Sequence, residues 1–159
     1  MTSNGAQKAL DDLKAVREGV FVKLKTRSSL SLSGALATKR GDGRKAVADL
    51  ERAVSLLAPF TTAEIDQNTV TLDLLAQAYI VAGDLAKARE TYEKITTLTT
   101  VRMAWGATYA RAFYHLSRIA EQQGDKAPAR EQFQKFLDLW KDADKGLIQV
   151  ADARKRLAQ

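Results

Sequence analysis

The chain has 159 residues, of which 45% are hydrophobic and 28% are charged, a composition typical of one folded domain and not of a disordered chain. It contains no cysteine, which excludes disulfides and thiolate metal sites, and its apolar runs are too short to cross a bilayer. The net charge of +6 is divided into +5 over residues 1–60, −3 over residues 61–100 and +4 over residues 101–159.

The first predicted element is an amphipathic helix that starts at Ala6 and ends near Leu24. Its apolar stripe, at helical spacing, consists of Ala9, Leu13, Val16 and Val20. We interpret this helix as the second helix of a partial unit over residues 1–26. Two alternatives stay open: the helix is a natural N-terminal cap, or the chain is a piece cut from a longer protein.

Three predicted helical hairpins follow, over residues 27–60, 61–100 and 101–143, and each contains a Gly-Asp turn. The glycines Gly41, Gly83 and Gly124 lie 42 and 41 residues apart. An alanine comes five residues after each glycine, and two larger or apolar residues follow at helical spacing. These positions are Ala46, Leu50 and Ala53; Ala88, Tyr92 and Ile95; and Ala129, Phe133 and Phe136. Glycine ends the first helix in a backbone conformation that is costly for other residues, and the aspartate can cap the second helix.

A first helix precedes each glycine, and a last helix is predicted over residues 145–159. The first helix is weak in the first hairpin, whereas the other two hairpins show clear apolar stripes. These stripes are Leu72, Leu75, Ala76 and Tyr79, and Phe113, Leu116, Ile119 and Ala120. The last helix would cap the array, with Arg154, Lys155 and Arg156 outside. The sequence therefore predicts an all-α fold, a right-handed α-solenoid of stacked helical hairpins with about eight helices.

The second hairpin resembles the tetratricopeptide repeat. From Leu75 to Lys94 the sequence LAQAYIVAGDLAKARETYEK has leucine, a small residue, tyrosine, glycine, alanine and a second aromatic residue at the offsets of that family. The third hairpin departs from the pattern at Ala120, where the family prefers tyrosine. The family's usual period is about 34 residues, and the longer units here are similar to extended repeats attached to bacterial signalling proteins such as serine/threonine kinases. The resemblance implies a non-catalytic scaffold or regulatory module that binds proteins.

Residues that would support an enzyme or a cofactor are not found in the sequence. His115 is the only histidine, so neither a serine triad nor a histidine-rich metal site is expected. The glycines near Gly41 lack the spacing of a phosphate-binding loop, and the acidic stretch from Asp142 to Gly146 has too few ligands for calcium. We predict a protein with no enzyme activity, no metal and no cofactor.

The resemblance also predicts where a partner binds, because the first helix of each unit lines the concave side of such a solenoid. The outward positions that we predict to bind the partner are Lys39, Asp73, Gln77, Arg111, Tyr114, Arg118 and Gln122. Arg111, Tyr114 and Arg118 share one helix face, and two guanidinium groups beside a phenol suit an acidic or C-terminal peptide. The competing interpretation is that the arginines pair with nearby acids such as Glu121.

A nucleic-acid-binding helical repeat is the alternative function. The basic ends of the chain suggest it, together with Lys39, Arg40, Arg44 and Lys45. The acidic middle unit and the lack of a recurrent base-reading pair of side chains argue against it. Because residues 1–5 show no signal-peptide pattern, we expect a cytoplasmic protein without a membrane segment.

Overall fold

A computed structural model describes residues 22–57, 65–142 and 146–158, and in these ranges the chain forms eight helices and no strand. They are α1 (22–39), α2 (Gly43–Ser55), α3 (Ile65–Ala82), α4 (Leu85–Thr97), α5 (Thr99–Ala104), α6 (Gly106–Gln123), α7 (Lys126–Leu139) and α8 (Ile148–Leu157). The helices from α2 to α7 each pack against the next one or two along the chain, and α3 also contacts α6. The predicted all-α helical-repeat solenoid is confirmed.

Three of the helix pairs are hairpins that turn at glycine. The backbone φ angle is 77° at Gly41, 81° at Gly83 and 84° at Gly124, which is the left-handed region that favours glycine. In each turn the N–H of the following aspartate donates to the carbonyl oxygen five residues earlier, over 2.9–3.0 Å. This bond pairs a carbonyl group that the end of the first helix would otherwise leave open.

The aspartate after each glycine caps the second helix in two of the three turns. The Asp42 carboxylate accepts a hydrogen bond from the N–H of Lys45 at 3.1 Å, and Asp84 accepts one from Lys87 at 3.0 Å. Asp125 makes no such bond. The residue three positions after it is Pro128, which has no N–H to donate. The predicted cap is therefore confirmed at the first two turns and wrong at the third.

The small residues of the repeat lie where helices approach each other closely. Ala46 and Ala88 are fully buried, and Ala129 is 3% exposed. A side chain at Gly43 would meet the backbone of Ala82 in α3 at 2.6 Å, so α2 and α3 touch there almost backbone to backbone. One apolar cluster runs from α1 to α6. A second cluster, centred on Phe133, joins α6, α7 and α8.

The connection between the second and third hairpins accounts for part of the long period. The short helix α5 lies between α4 and α6, and its Val101 is completely buried. The structure also differs from the prediction at the start of the array, since α1 is a long helix that runs across the predicted boundary at residue 26. The rest of the predicted N-terminal helix lies outside the described residues. No helix in the described ranges is both long and apolar enough to cross a membrane.

Candidate functional site

A groove of about 300 Å³ opens between α1, α3 and α6, the first helices of the three hairpins. We call it the concave groove. Its apolar surface is supplied by Ile80, Val81 and Ile119, and its polar surface by Thr38, Gln77, His115, Arg118 and Gln122. An apolar surface with a few polar groups that point into it is the usual make-up of a ligand site in a protein.

A stacked aromatic pair supports the floor of the groove. The rings of Tyr92 and His115 lie 4.8 Å apart and 8° from parallel. Burial lowers the pKa of His115, and Arg111 and Arg118 lower it further, while Asp73 opposes the shift. His115 is therefore neutral near pH 7 and acts as a packing residue. Within the described ranges no three histidine, aspartate or glutamate side chains are grouped as a metal site would need.

Three of the seven predicted partner-binding residues line the concave groove: Gln77, Arg118 and Gln122. Lys39 is exposed and follows the groove residue Thr38 in α1. The other three predicted residues do not line the groove.

Asp73 and Arg111 lie beside the Tyr92–His115 stack. Asp73 accepts a hydrogen bond from the Gln77 amide at 3.1 Å. Burial is the main cause of the raised pKa of Tyr92, and the negative charge of Asp73 is the second cause. Arg111 donates to the Thr108 hydroxyl at 3.3 Å and forms no ion pair with any described carboxylate. These two residues occupy the contact between α3 and α6.

Tyr114 faces the last helix, contrary to the expectation that it points outward. Its ring packs against Phe133 and Phe136, with centroid distances of 6.0 and 5.4 Å. Its hydroxyl donates to the Asp152 carboxylate of α8 at 2.8 Å. Tyr114 and Asp73 both lie ten residues before a turn glycine. At that position Asp73 lies against α6 and Tyr114 lies against α8.

Arg118 belongs to both the groove and a charged network on α8. Its Nη1 lies 3.4 Å from Asp152 Oδ2, and its Nε lies 3.4 Å from Glu121 Oε2. The competing interpretation, in which Arg118 pairs with Glu121, is thus present in the structure. Arg156 reaches the same two carboxylates at 2.8 and 2.7 Å, so the prediction that it lies outside is wrong. These hydrogen bonds lower the pKa of Asp152 and raise that of Arg156.

Comparison with known families places the two best-formed hairpins. A family model described as tetratricopeptide repeat matches residues 71–98 and 111–143, which cover most of α3, α4, α6 and α7. The match supports the tetratricopeptide repeat family. Tetratricopeptide repeats generally mediate protein–protein interactions and are typically non-catalytic scaffolds. No curated protein matches the sequence.

Five of the eight residues that line the groove, and the acid on α8, were not among the predicted partner-binding residues. Thr38 and Val81 were not among the predicted binding residues, although they lie three and two residues before a turn glycine. Ile80 and Gln122 occupy the same two offsets and line the groove, whereas Glu121 and Lys39, which also occupy them, do not, so distance from the glycine is only a partial signal. No such signal exists for Asp152, because its contact with Tyr114 joins residues 38 positions apart.

Proposed function

We propose that this chain is a non-catalytic interaction module that binds a segment of another protein in the concave groove. The observation that carries the proposal is that one groove crosses the first helices of three successive hairpins. Ile80 and Val81 offer apolar contact, and the amides of Gln77 and Gln122 can hydrogen-bond to the backbone of a bound segment. Apolar burial supplies affinity in such sites, and the polar groups fix the orientation of the ligand.

We also propose that the bound segment is acidic. Arg118 is the only cation among the residues that line the groove, and its side chain is 36% exposed. Lys39 adds a second, exposed cation near the end of α1. A guanidinium group can bind a carboxylate through two parallel hydrogen bonds. A side-chain carboxylate and a C-terminal carboxylate offer the same chemistry, and an amidated peptide separates the two.

A matched pair of valines on α3 tests the groove. Val81 lines it and Val70 does not, and both side chains are 41% exposed. Peptides would be selected from a display library against the unaltered chain, and their affinities measured by fluorescence anisotropy. We expect Val81→Asn to weaken binding about fivefold, because it removes apolar contact from the site, and Val70→Asn to leave binding unchanged. Equal effects of the two changes would place the binding surface elsewhere.

The wider assignments stay predictions. Nothing in the described residues favours the nucleic-acid alternative, and one of its suggested cations, Lys45, is paired with Asp49 at 2.8 Å. A cytoplasmic location and an origin within a larger bacterial signalling protein follow only from the sequence patterns. The neighbouring coding sequence in the genome would show whether a catalytic domain is attached.

A further inference from the structure

The cation of the concave groove is shared with the last helix. One side of Arg118 lines the groove, and the other side faces Glu121 and Asp152. Its contacts with these two carboxylates are 3.4 Å long, which is long for a charge-assisted hydrogen bond. Its Nε is buried and makes no hydrogen bond. Its Nη1 donates two long hydrogen bonds, to Asp152 Oδ2 at 3.4 Å and to the Tyr114 hydroxyl at 3.5 Å. The guanidinium group is therefore held near the acids by weak contacts alone.

The two acids already have closer partners. Arg156 donates to Asp152 at 2.8 Å and to Glu121 at 2.7 Å, and the Tyr114 hydroxyl donates to Asp152 at 2.8 Å. If Arg118 moved toward a ligand, each carboxylate would keep at least one short hydrogen bond. Movement of Arg118 therefore leaves no carboxylate without a partner, and the cost of breaking its long contacts is small.

We propose that Asp152 competes with an acidic ligand for Arg118, so that helix α8 sets the affinity and the charge selectivity of the concave groove. This inference rests on the proposed function. The Asp152 carboxylate neutralises part of the Arg118 charge and repels an incoming carboxylate. Asp152 therefore occupies the interaction with Arg118 that the acidic group of the ligand would otherwise make. A change that removes its charge without changing its size makes Arg118 a stronger binding group.

The experiment measures two fluorescein-labelled peptides against the full chain by anisotropy. One peptide contains glutamate, leucine and alanine, and the other has glutamine in place of each glutamate. We expect Asp152→Asn to bind the acidic peptide about fivefold more tightly than the unaltered chain, the range that one partly exposed charge pair supplies. The glutamine peptide should bind both proteins equally. The gain should shrink as salt is added, because ions screen the interaction.

Two controls separate this effect from net charge and from misfolding. Asp138→Asn removes the same charge from the exposed face of α7, where Asp138 accepts a hydrogen bond from Gln134, and it should leave both affinities unchanged. In an Arg118→Gln background, Asp152→Asn should give no gain, since the two residues act on each other. Circular dichroism checks that each variant keeps its helices.

Three results would overturn the inference or its basis. Unchanged or weaker binding of the acidic peptide by a folded Asp152→Asn variant removes Asp152 as a competitor. A gain that persists without Arg118 assigns the effect to general electrostatics. Binding that Val81→Asn does not alter, or the absence of binding to either peptide by every variant, counts against the concave groove itself and so against the proposed function.

Discussion

The hairpins α3–α4 and α6–α7 have nearly the same turn geometry and different side chains toward their neighbours. Their turn glycines have φ angles of 81° and 84°, and Ala88 and Ala129 occupy the same offset. Ten, nine and six residues before the glycine, however, aspartate, leucine and glutamine in α3 are replaced by tyrosine, histidine and arginine in α6. The shared residues determine the turn and the close helix contact of each hairpin. The differing residues determine which side chains contact the next helix and a bound ligand.

The turns offer the largest expected difference between the two hairpins. Asp84→Ala should lower the free energy of unfolding by about 1 kcal/mol, because it removes a helix cap. Asp125→Ala should cost less than about 0.5 kcal/mol, since Asp125 caps nothing. Urea unfolding followed by circular dichroism measures both. In a Pro128→Ala background, which restores an N–H at the capping position, the cost of Asp125→Ala should rise toward that of Asp84→Ala.

An equal loss at the two aspartates would contradict this account of the caps. The comparison is informative because both aspartates are exposed and lie near an arginine or lysine at about 4.0 Å, so that their surface ion pairs are similar. Only the cap distinguishes them.

The second difference concerns two tyrosines. Tyr114→Phe should destabilise the chain by about 0.5–1.5 kcal/mol, because it removes a hydrogen bond to Asp152 that links α6 to α8. Tyr92→Phe should cost less than Tyr114→Phe, because the buried Tyr92 hydroxyl makes no hydrogen bond of good geometry, although the Asp73 carboxylate lies near enough to raise its pKa. The same deletion of one oxygen atom is thus expected to cost more stability at Tyr114 than at Tyr92. Thermal unfolding of the two variants side by side tests this, and a larger loss at Tyr92 would refute it.

The smallest expected difference depends on pH. His115 has a pKa lowered by burial, so the unfolded chain binds a proton more readily than the folded chain. The stability that neutral His115 contributes is present above its unfolded pKa of about 6.5 and is lost as pH falls through the lower folded value. His115→Leu places in α6 the residue that α3 has at the same offset, Leu74. Melting temperatures between pH 7 and pH 5 should fall for the unaltered chain and fall less for the variant.

The sequence predicted the hairpins because their signals are local. A glycine, an aspartate and an alanine at fixed offsets describe a turn and a close helix contact without reference to the rest of the chain. The missing cap at Asp125 was also readable, since Pro128 stands where an N–H is needed. The orientation of Tyr114 could not be predicted from the sequence. The periodicity of α6 shows which residues share a helix face, but it does not show which other helix covers that face. The contact with Asp152 that decides it comes from α8.

The concave groove also brings together residues from the first and the third hairpin. Thr38 belongs to the first hairpin and Gln122 to the third, and both line the same groove. Each hairpin of a solenoid contacts mainly its neighbours. Small rotations at successive interfaces therefore add up along the array. A ligand that holds both Thr38 and Gln122 resists that accumulated rotation. If the proposed ligand binds there, we expect the whole array to become mechanically stiffer, including regions that the ligand does not contact.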